Sequence, residues 1–224
     1  MPDVKIAGHF EQTYRIVSHS RFLSRKGLGN EVPFFIDEYD PTDEWAVVEQ
    51  IGVLSQRLHA EGIPTVTLPM FDIVIDVVRT IRDLDTVFAF EKKTPKSRGA
   101  STTPGASSRR RSFLTEMETW TNPESGKRLQ SEIFRRLEEV PDRQVVFMHQ
   151  LGTVFPYLRT HTLLNNLHSV ITDTPLVVFF PGTYVSSERE GYYFSLFNTF
   201  KSDYYRAFRL EDYIEKGRIR GDIE

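Results

Sequence analysis

The chain contains no cysteine, which excludes disulfides, thiolate nucleophiles and thiolate-bound zinc. Its apolar runs all fall short of the roughly 20 residues a membrane-spanning helix needs, so no membrane association is expected. The opening, MPDVKIAGHFEQ, lacks a charged start followed by an apolar run; no secretory signal is read there, and a cytoplasmic location is expected. A net charge of -3 argues against a generally basic nucleic-acid binder. Catalytic signatures are missing too. The G-x-x-x-x-G-K-[ST] phosphate cradle is absent: Gly126-Lys127 has Thr121 where the first glycine belongs and Arg128 after it. Gly27-x-Gly29 precedes an apolar run, whereas a phosphate cradle follows a strand and opens a helix. Without G-x-S-x-G, Ser55 and Ser195 have no nucleophile elbow. The carboxylate pairs Glu138-Glu139 and Asp83 with Asp85 fall on predicted helix surfaces, where they read as solvated charge.

What is present is an alternation of buried strands and helices. Val145 to Met148 and Leu176 to Phe180 are continuously apolar, as strands covered on both faces must be. Between them Pro156 suits a first helical turn, and Leu163, Leu164, Leu167 and Ile171 share one helical face. The unit predicts strand, crossover helix, strand, with Phe180-Pro181-Gly182 at the strand exit, where open α/β sheets meet ligands and partners. Upstream, Phe10 to Leu23 predicts a helix and Val32 to Ile36 a strand. A helix follows Asp40-Pro41-Thr42, burying Val47, Ile51, Leu54 and Leu58 and ending near Gly62. Ile63 to Leu68 predicts a second strand, and Ile73 to about Phe90 a helix starting near Asp72. Phe113 to Trp120 and Glu124 to Val140 read as helices broken at Asn122-Pro123, and Tyr204 to Leu210 as a last strand. The expectation is one domain over 1–224: a three-layer α/β fold with a mainly parallel sheet, resembling a P-loop-type nucleotide-binding fold without its P-loop.

The segment from Lys92 to Arg111 departs from this pattern. It carries seven basic residues, Lys92, Lys93, Lys96, Arg98, Arg109, Arg110 and Arg111, and no acidic one. With no large apolar side chain it cannot offset its chain entropy, and it is read as a low-complexity insertion. It is either a solvated linker or an electrostatic arm for nucleic acid. No aromatic is interleaved to stack on bases.

Three further groups bear on chemistry. Phe34-Phe35-Ile36-Asp37-Glu38 resembles the acidic strand end of an NTPase, where the first acid would hold magnesium and the second polarise water, but that role needs a phosphate cradle. His161, Asn165 and His168 share a helical face, yet two turns place His161 and His168 roughly 10 Å apart, too far to bind one metal. No metal or cofactor is expected. Aromatics crowd the C-terminal third, and Tyr192, Tyr193 and Phe197 are the candidates for an interface, where such side chains bury much area at low rotamer cost.

These residues also carry a resemblance. Gly27-Leu28-Gly29-Asn30-Glu31-Val32-Pro33-Phe34, the run Phe155-Pro156-Tyr157-Leu158-Arg159-Thr160-His161-Thr162-Leu163-Leu164-Asn165-Asn166-Leu167 with Gly152 before it, Phe179-Phe180-Pro181-Gly182-Thr183-Tyr184, and Tyr204-Tyr205-Arg206-Ala207-Phe208 occur in order. Together they resemble the BrxB family, small accessory proteins of bacterial BREX phage-defence systems. The resemblance spans about Gly27 to Leu210 and implies a cytoplasmic antiviral component, encoded beside a large ATPase, a DNA methyltransferase and the alkaline-phosphatase-like protein PglZ. It implies no catalytic activity, and action by assembly with PglZ and other BREX components. Candidate partner contacts are Arg159, His161, Asn165, Tyr184, Tyr192, Tyr193, Phe197 and Arg206, with Arg159 and Arg206 as charged anchors. A homodimer, DNA contact through the basic insertion and degenerate nucleotide binding stay open as alternatives.

Overall fold

The computed structural model describes residues 4–24, 34–92, 119, 127–187, 191–203 and 207–215. Its strands are β1 (Phe34–Tyr39), β2 (Thr65–Pro69), β3 (Val145–His149), β4 (Leu176–Ser187), β5 (Gly191–Leu196), β6 (Phe200–Asp203) and β7 (Phe208–Arg209). The helices are α1 (Val4–Val17), α2 (Ser20–Leu23), α3 (Glu44–Ala60), α4 (Met70–Ile81), α5 (Leu84–Lys92), α6 (Arg128–Glu138), α7 (Thr160–Leu167) and α8 (Asp212–Glu215). β2-β3-β4-β1-β7 form the sheet path, and every pairing along it is parallel. The result is an α/β fold with a mainly parallel sheet. β1 lies between β4 and β7, so the β1–α3–β2 connection crosses two strands before the chain returns through β3 and β4.

Strand register sorts the apolar residues onto two faces. Phe34 pairs with Leu176, which pairs with Val146; the row above it holds Phe35, Val177 and Phe147. Side chains alternate along a strand, so the first row and Ile36, Val178 and Met148 face α4, α6 and α7. The second row and Phe179 face α1 and α3. Both sets are fully buried, and each such side chain contributes roughly 1.5–3 kcal/mol over the exposed state. The helix stripes match: Ile73, Val74 and Val77 on α4, Leu163, Leu164 and Leu167 on α7, and Val47, Ile51, Leu54 and Leu58 on α3 are all buried.

Several expectations are corrected in detail. The helix predicted over Phe10 to Leu23 is two helices, because His19 Nδ1 accepts the Arg21 N–H at 3.1 Å and starts α2 afresh. The helix predicted from Asp72 begins at Met70, directly after Pro69 ends β2, and it stops at Ile81. There Arg82 is extended and the Asp83 carboxylate accepts the Thr86 N–H at 3.1 Å, capping α5. Pro156 does not open a helix: the Phe155-Pro156 peptide is cis, residues 151–157 form turns, and α7 begins only at Thr160. Pro181-Gly182 does not end β4 either. The strand runs on to Ser187 and turns into an antiparallel ribbon with β5 and β6, an element absent from the sequence-based expectation. Of the last strand, expected over Tyr204 to Leu210, residues 204–206 lie outside the described residues and Phe208–Arg209 form β7. The expected helix over Phe113 to Trp120 lies almost wholly outside the described residues, as does the start of the one expected over Glu124 to Val140, whose described part is α6, ending at Glu138.

Candidate functional site

Two cavities open at the carboxyl end of the sheet, and they differ in character. The smaller, about 150 Å³, lies beside β1 and is lined by His9, Thr13, Asp37, Glu38, Arg209 and Glu211 among others. Its charged groups are already engaged with one another. Asp37 takes His9 Nε2 at 2.7 Å on one oxygen and the Thr13 hydroxyl at 2.8 Å on the other. Glu38 Oε1 accepts the Tyr184 N–H at 2.7 Å, while Arg209 reaches Glu38 at 3.4 Å and also pairs with Glu211. Burial pushes the Glu38 carboxyl above its ordinary range, against the pull of the Tyr184 N–H and Arg209. The hydrogen bond to Asp37 raises the His9 pKa.

This arrangement is ill-suited to a nucleotide phosphate. Glu38 near the end of β1, Asp40 and Asp43 in the connection and Glu44 at the first position of α3 place four carboxylates around the start of that helix. Asp40 accepts the Thr42 N–H at 2.9 Å and lies at the turn that leads into the helix. Carboxylates there take the favourable position at the helix's positive end and repel an incoming anion. Among the described residues no group of three or more His, Asp or Glu side chains is placed to hold a metal ion.

The larger cavity, about 320 Å³, is a cleft between residues 155–161 and the β5–β6 hairpin. Its floor is Phe180, Phe194 and Leu196, all buried, and Phe155 and Phe200 stand at its mouth with ring centroids 4.8 Å apart. Arg159 and His161 line one wall and Lys201 and Ser202 the other. Burial, and then the neighbouring Arg159 charge, lower the His161 pKa, so the imidazole is neutral near pH 7.

Glycines hold the walls together. A Cβ on Gly152 would come within 2.8 Å of the Phe197 ring and 3.1 Å of Pro181, so a larger residue there would force the Phe197 ring to shift where the turn after β3 closes onto the β5–β6 turn. Gly182, at φ 144°, has no room for a Cβ, which would sit 2.2 Å from the Ser195 carbonyl oxygen. Phe197 and Asn198 both have positive φ, and the Phe197 N–H donates to the Pro181 carbonyl at 2.9 Å. The blocks around Gly152, Phe155-Pro156 and Pro181-Gly182, distant in sequence, thus meet in one knot under the cleft.

The candidate contacts divide accordingly. Arg159 and His161 come together at the cleft; Asn165 is exposed one turn further along α7 and does not line it. Phe197 is half-buried against Phe155, with ring centroids 6.2 Å apart. Tyr192 is 43% exposed on β5, and Tyr193 points to the ribbon face opposite Phe194, beneath Lys201 Nζ at 4.8 Å. Tyr184 is 0% exposed and its hydroxyl donates to the Ala207 carbonyl at 3.0 Å, which gives its side chain a place in the core rather than on the surface. Arg206 lies outside the described residues, as do Lys93, Lys96, Arg98, Arg109, Arg110 and Arg111; Lys92 ends α5. Sequence reasoning missed Lys201 and Phe200 at the cleft and His9 on Asp37. Phe200 and Lys201 carry no motif, and only Asn198, a residue tolerant of left-handed backbone, signalled the turn before them.

Comparison with known proteins adds a family. The family model described as BREX protein BrxB matches residues 66–210. A protein named BREX protein BrxB from Bacillus cereus (strain H3081.97) is 31% identical over 202 residues, covering 88% of this chain and 92% of that protein. A second of the same name, from Escherichia coli O9:H4 (strain HS), is 28% identical over 211 residues, 94% of each chain. No solved structure matches this chain.

Proposed function

Because the chain belongs to the BrxB family of BREX proteins, we propose that it is a non-catalytic adaptor of a BREX antiphage defence system, acting by binding other system proteins, PglZ first among them. The observation that carries this reading is the contrast between the two cavities. At the acidic strand end, where an enzyme of this topology would place its reacting groups, Asp37 and Glu38 are bound to His9, Thr13, Tyr184 and Arg209. The accessible feature is instead an aromatic cleft with charged walls, the composition of a protein-binding surface. Phe200 and Tyr192 expose 50% and 43% of their surface on the same ribbon, and such aromatics supply anchor energy at interfaces.

The test is co-purification of this chain with each BREX component in turn, read as mass by light scattering on a sizing column. A stable complex with PglZ, weakened by Arg159→Ala and Phe200→Ala while both variants keep the wild-type melting temperature, is the expected result. Migration of the wild-type chain alone beside every component overturns the adaptor reading. Thermal stabilisation by ATP and magnesium, abolished in Asp37→Asn, would replace it with nucleotide binding.

A further inference from the structure

Resting on the adaptor reading for the partner being a protein, we propose that the cleft between residues 155–161 and the β5–β6 hairpin takes an extended acidic segment. One large apolar side chain of that segment enters beside Phe155 and Phe200, and its carboxylates are held by Arg159 and Lys201. Volume, charge and backbone geometry converge on this occupant.

At about 320 Å³ the cleft is at the small end of pockets that hold a bound group, and its floor of Phe180, Phe194 and Leu196 offers an apolar side chain a dry seat. The polar groups lie at the rim. Arg159 is exposed on the cleft wall and Lys201 on the outer face of β6 beside it, and among the described residues neither forms a salt bridge. Lys201 rests over the Tyr193 ring, which leaves its ammonium directed by the ribbon and not neutralised. Among the described residues no carboxylate lines the cleft; the neighbouring one, Asp203, acts on His161 from the end of β6. α7 starts at Thr160 with no side-chain cap at Arg159, so the positive end of that helix opens on the same rim. A carboxylate-bearing ligand completes all three.

The backbone argues for an extended peptide. Among the described residues β6 pairs only with β5, which leaves its outer edge open. A strand added along that edge places alternate side chains on the face of Phe200 and Ser202, the face that lines the cleft. One such side chain falls over the aromatic floor; its immediate neighbours point to the opposite face, where Lys201 lies over Tyr193, and the next residue on the cleft face reaches Arg159.

The experiment titrates the isotopically labelled full chain with three probes and follows backbone amide resonances. The first is a ten-residue peptide with one Phe among Asp and Glu, the second its Asn/Gln counterpart, and the third an oligo(dT) of ten nucleotides. The expected result is that the acidic peptide shifts amides of residues 155–161 and 199–202. Binding weakens at least tenfold for the neutral peptide and for the double variant Arg159→Glu/Lys201→Glu. Both residues are exposed, so an unchanged spectrum elsewhere certifies the variant's fold; Phe200→Ala, at another exposed position, should weaken the peptide independently. Absence of shifts at the cleft, equal binding of the neutral peptide, indifference to the double variant, or tighter binding of oligo(dT) at these amides each overturns the proposal. Co-purification reports on the adaptor role and the titration on the cleft, so the two fail separately.

Discussion

His9 on α1 holds Asp37 at the end of β1 through a 2.7 Å contact, and Thr13, one turn further along the helix, takes the other carboxylate oxygen. Asp37 is only 5% exposed, and among the described residues the hydrogen-bond and ion-pair contacts of its carboxylate both come from α1. The same helix is tied to α3 by Arg57 with Glu11 at 2.7 Å and by the Tyr14 hydroxyl on Glu61. Replacing Asp37 with Ala leaves the Thr13 hydroxyl and the His9 imidazole without an acceptor. A loss of about 1–3 kcal/mol is expected in urea unfolding, with faster proteolysis of α1.

The His9 contact should also be visible in pH. Its folded pKa is raised above 6.5, chiefly by the hydrogen bond to Asp37, so its contribution is fully present below 6.5 and is lost as pH rises through the folded value. The difference in unfolding free energy between wild type and His9→Ala is therefore expected to be largest below 6.5 and to shrink as pH rises through the raised folded value. A difference that stays constant with pH removes the charged form of His9 from the contact.

His149 works in the opposite direction. It ends β3 at 5% exposure, burial pushes its pKa down to about 4, and its Nδ1 finds no hydrogen-bond partner among the described residues. The folded chain keeps it neutral while the unfolded chain protonates it below 6.5, so stability falls as pH drops from 6.5 toward 4. Roughly 2 kcal/mol should be lost between about pH 7 and about pH 5, and His149→Leu should lose less over that interval. Paired urea titrations of the two proteins isolate this effect from that of His9.

The parts of the fold that reveal themselves in sequence are those where one physical requirement dominates. Val145 to Met148 and Leu176 to Phe180 are apolar at every position because both faces of the sheet are covered, and α3 shows its stripe of Val47, Ile51, Leu54 and Leu58. The β5–β6 hairpin is hidden because its turn uses Phe197 and Asn198 in place of the usual Asn-Gly, and its aromatics read equally well as core. Pro181-Gly182 reads as an exit because proline and glycine punctuate turns and are disfavoured inside strands; here glycine is needed for close approach to Ser195, and the strand continues. Arg159 and His161 were legible as one block of the cleft. Lys201 was not, because a lone lysine acquires meaning only when folding brings it opposite Arg159.

Tyr184 separates a structural role from a binding one. Burial pushes its hydroxyl pKa up to about 12, and that hydroxyl satisfies the Ala207 carbonyl. Tyr184→Phe is expected to cost about 1 kcal/mol through the orphaned carbonyl, and Tyr184→Ala about 3–5 kcal/mol through the cavity it leaves. The Phe variant should retain partners as wild type does in co-purification. Loss of a partner at unchanged stability would return Tyr184 to the interface.

Gly182 tests whether the continuation of β4 builds the cleft. Its φ of 144° and the 2.2 Å approach of a Cβ to the Ser195 carbonyl oxygen leave Gly182→Ala no relaxed conformation while β4 and β5 stay paired. Breaking that pairing frees Phe194 and Leu196, which floor the cleft, so the variant should melt several degrees lower and lose the acidic-peptide response together. Gly52→Ala is the control: it lies inside α3 with nothing within 4 Å of the new Cβ, and it should gain about 0.5–1 kcal/mol from helix propensity alone. Wild-type melting and peptide binding in Gly182→Ala would mean that β5 does not depend on this crossing, and the floor of the cleft would need another origin.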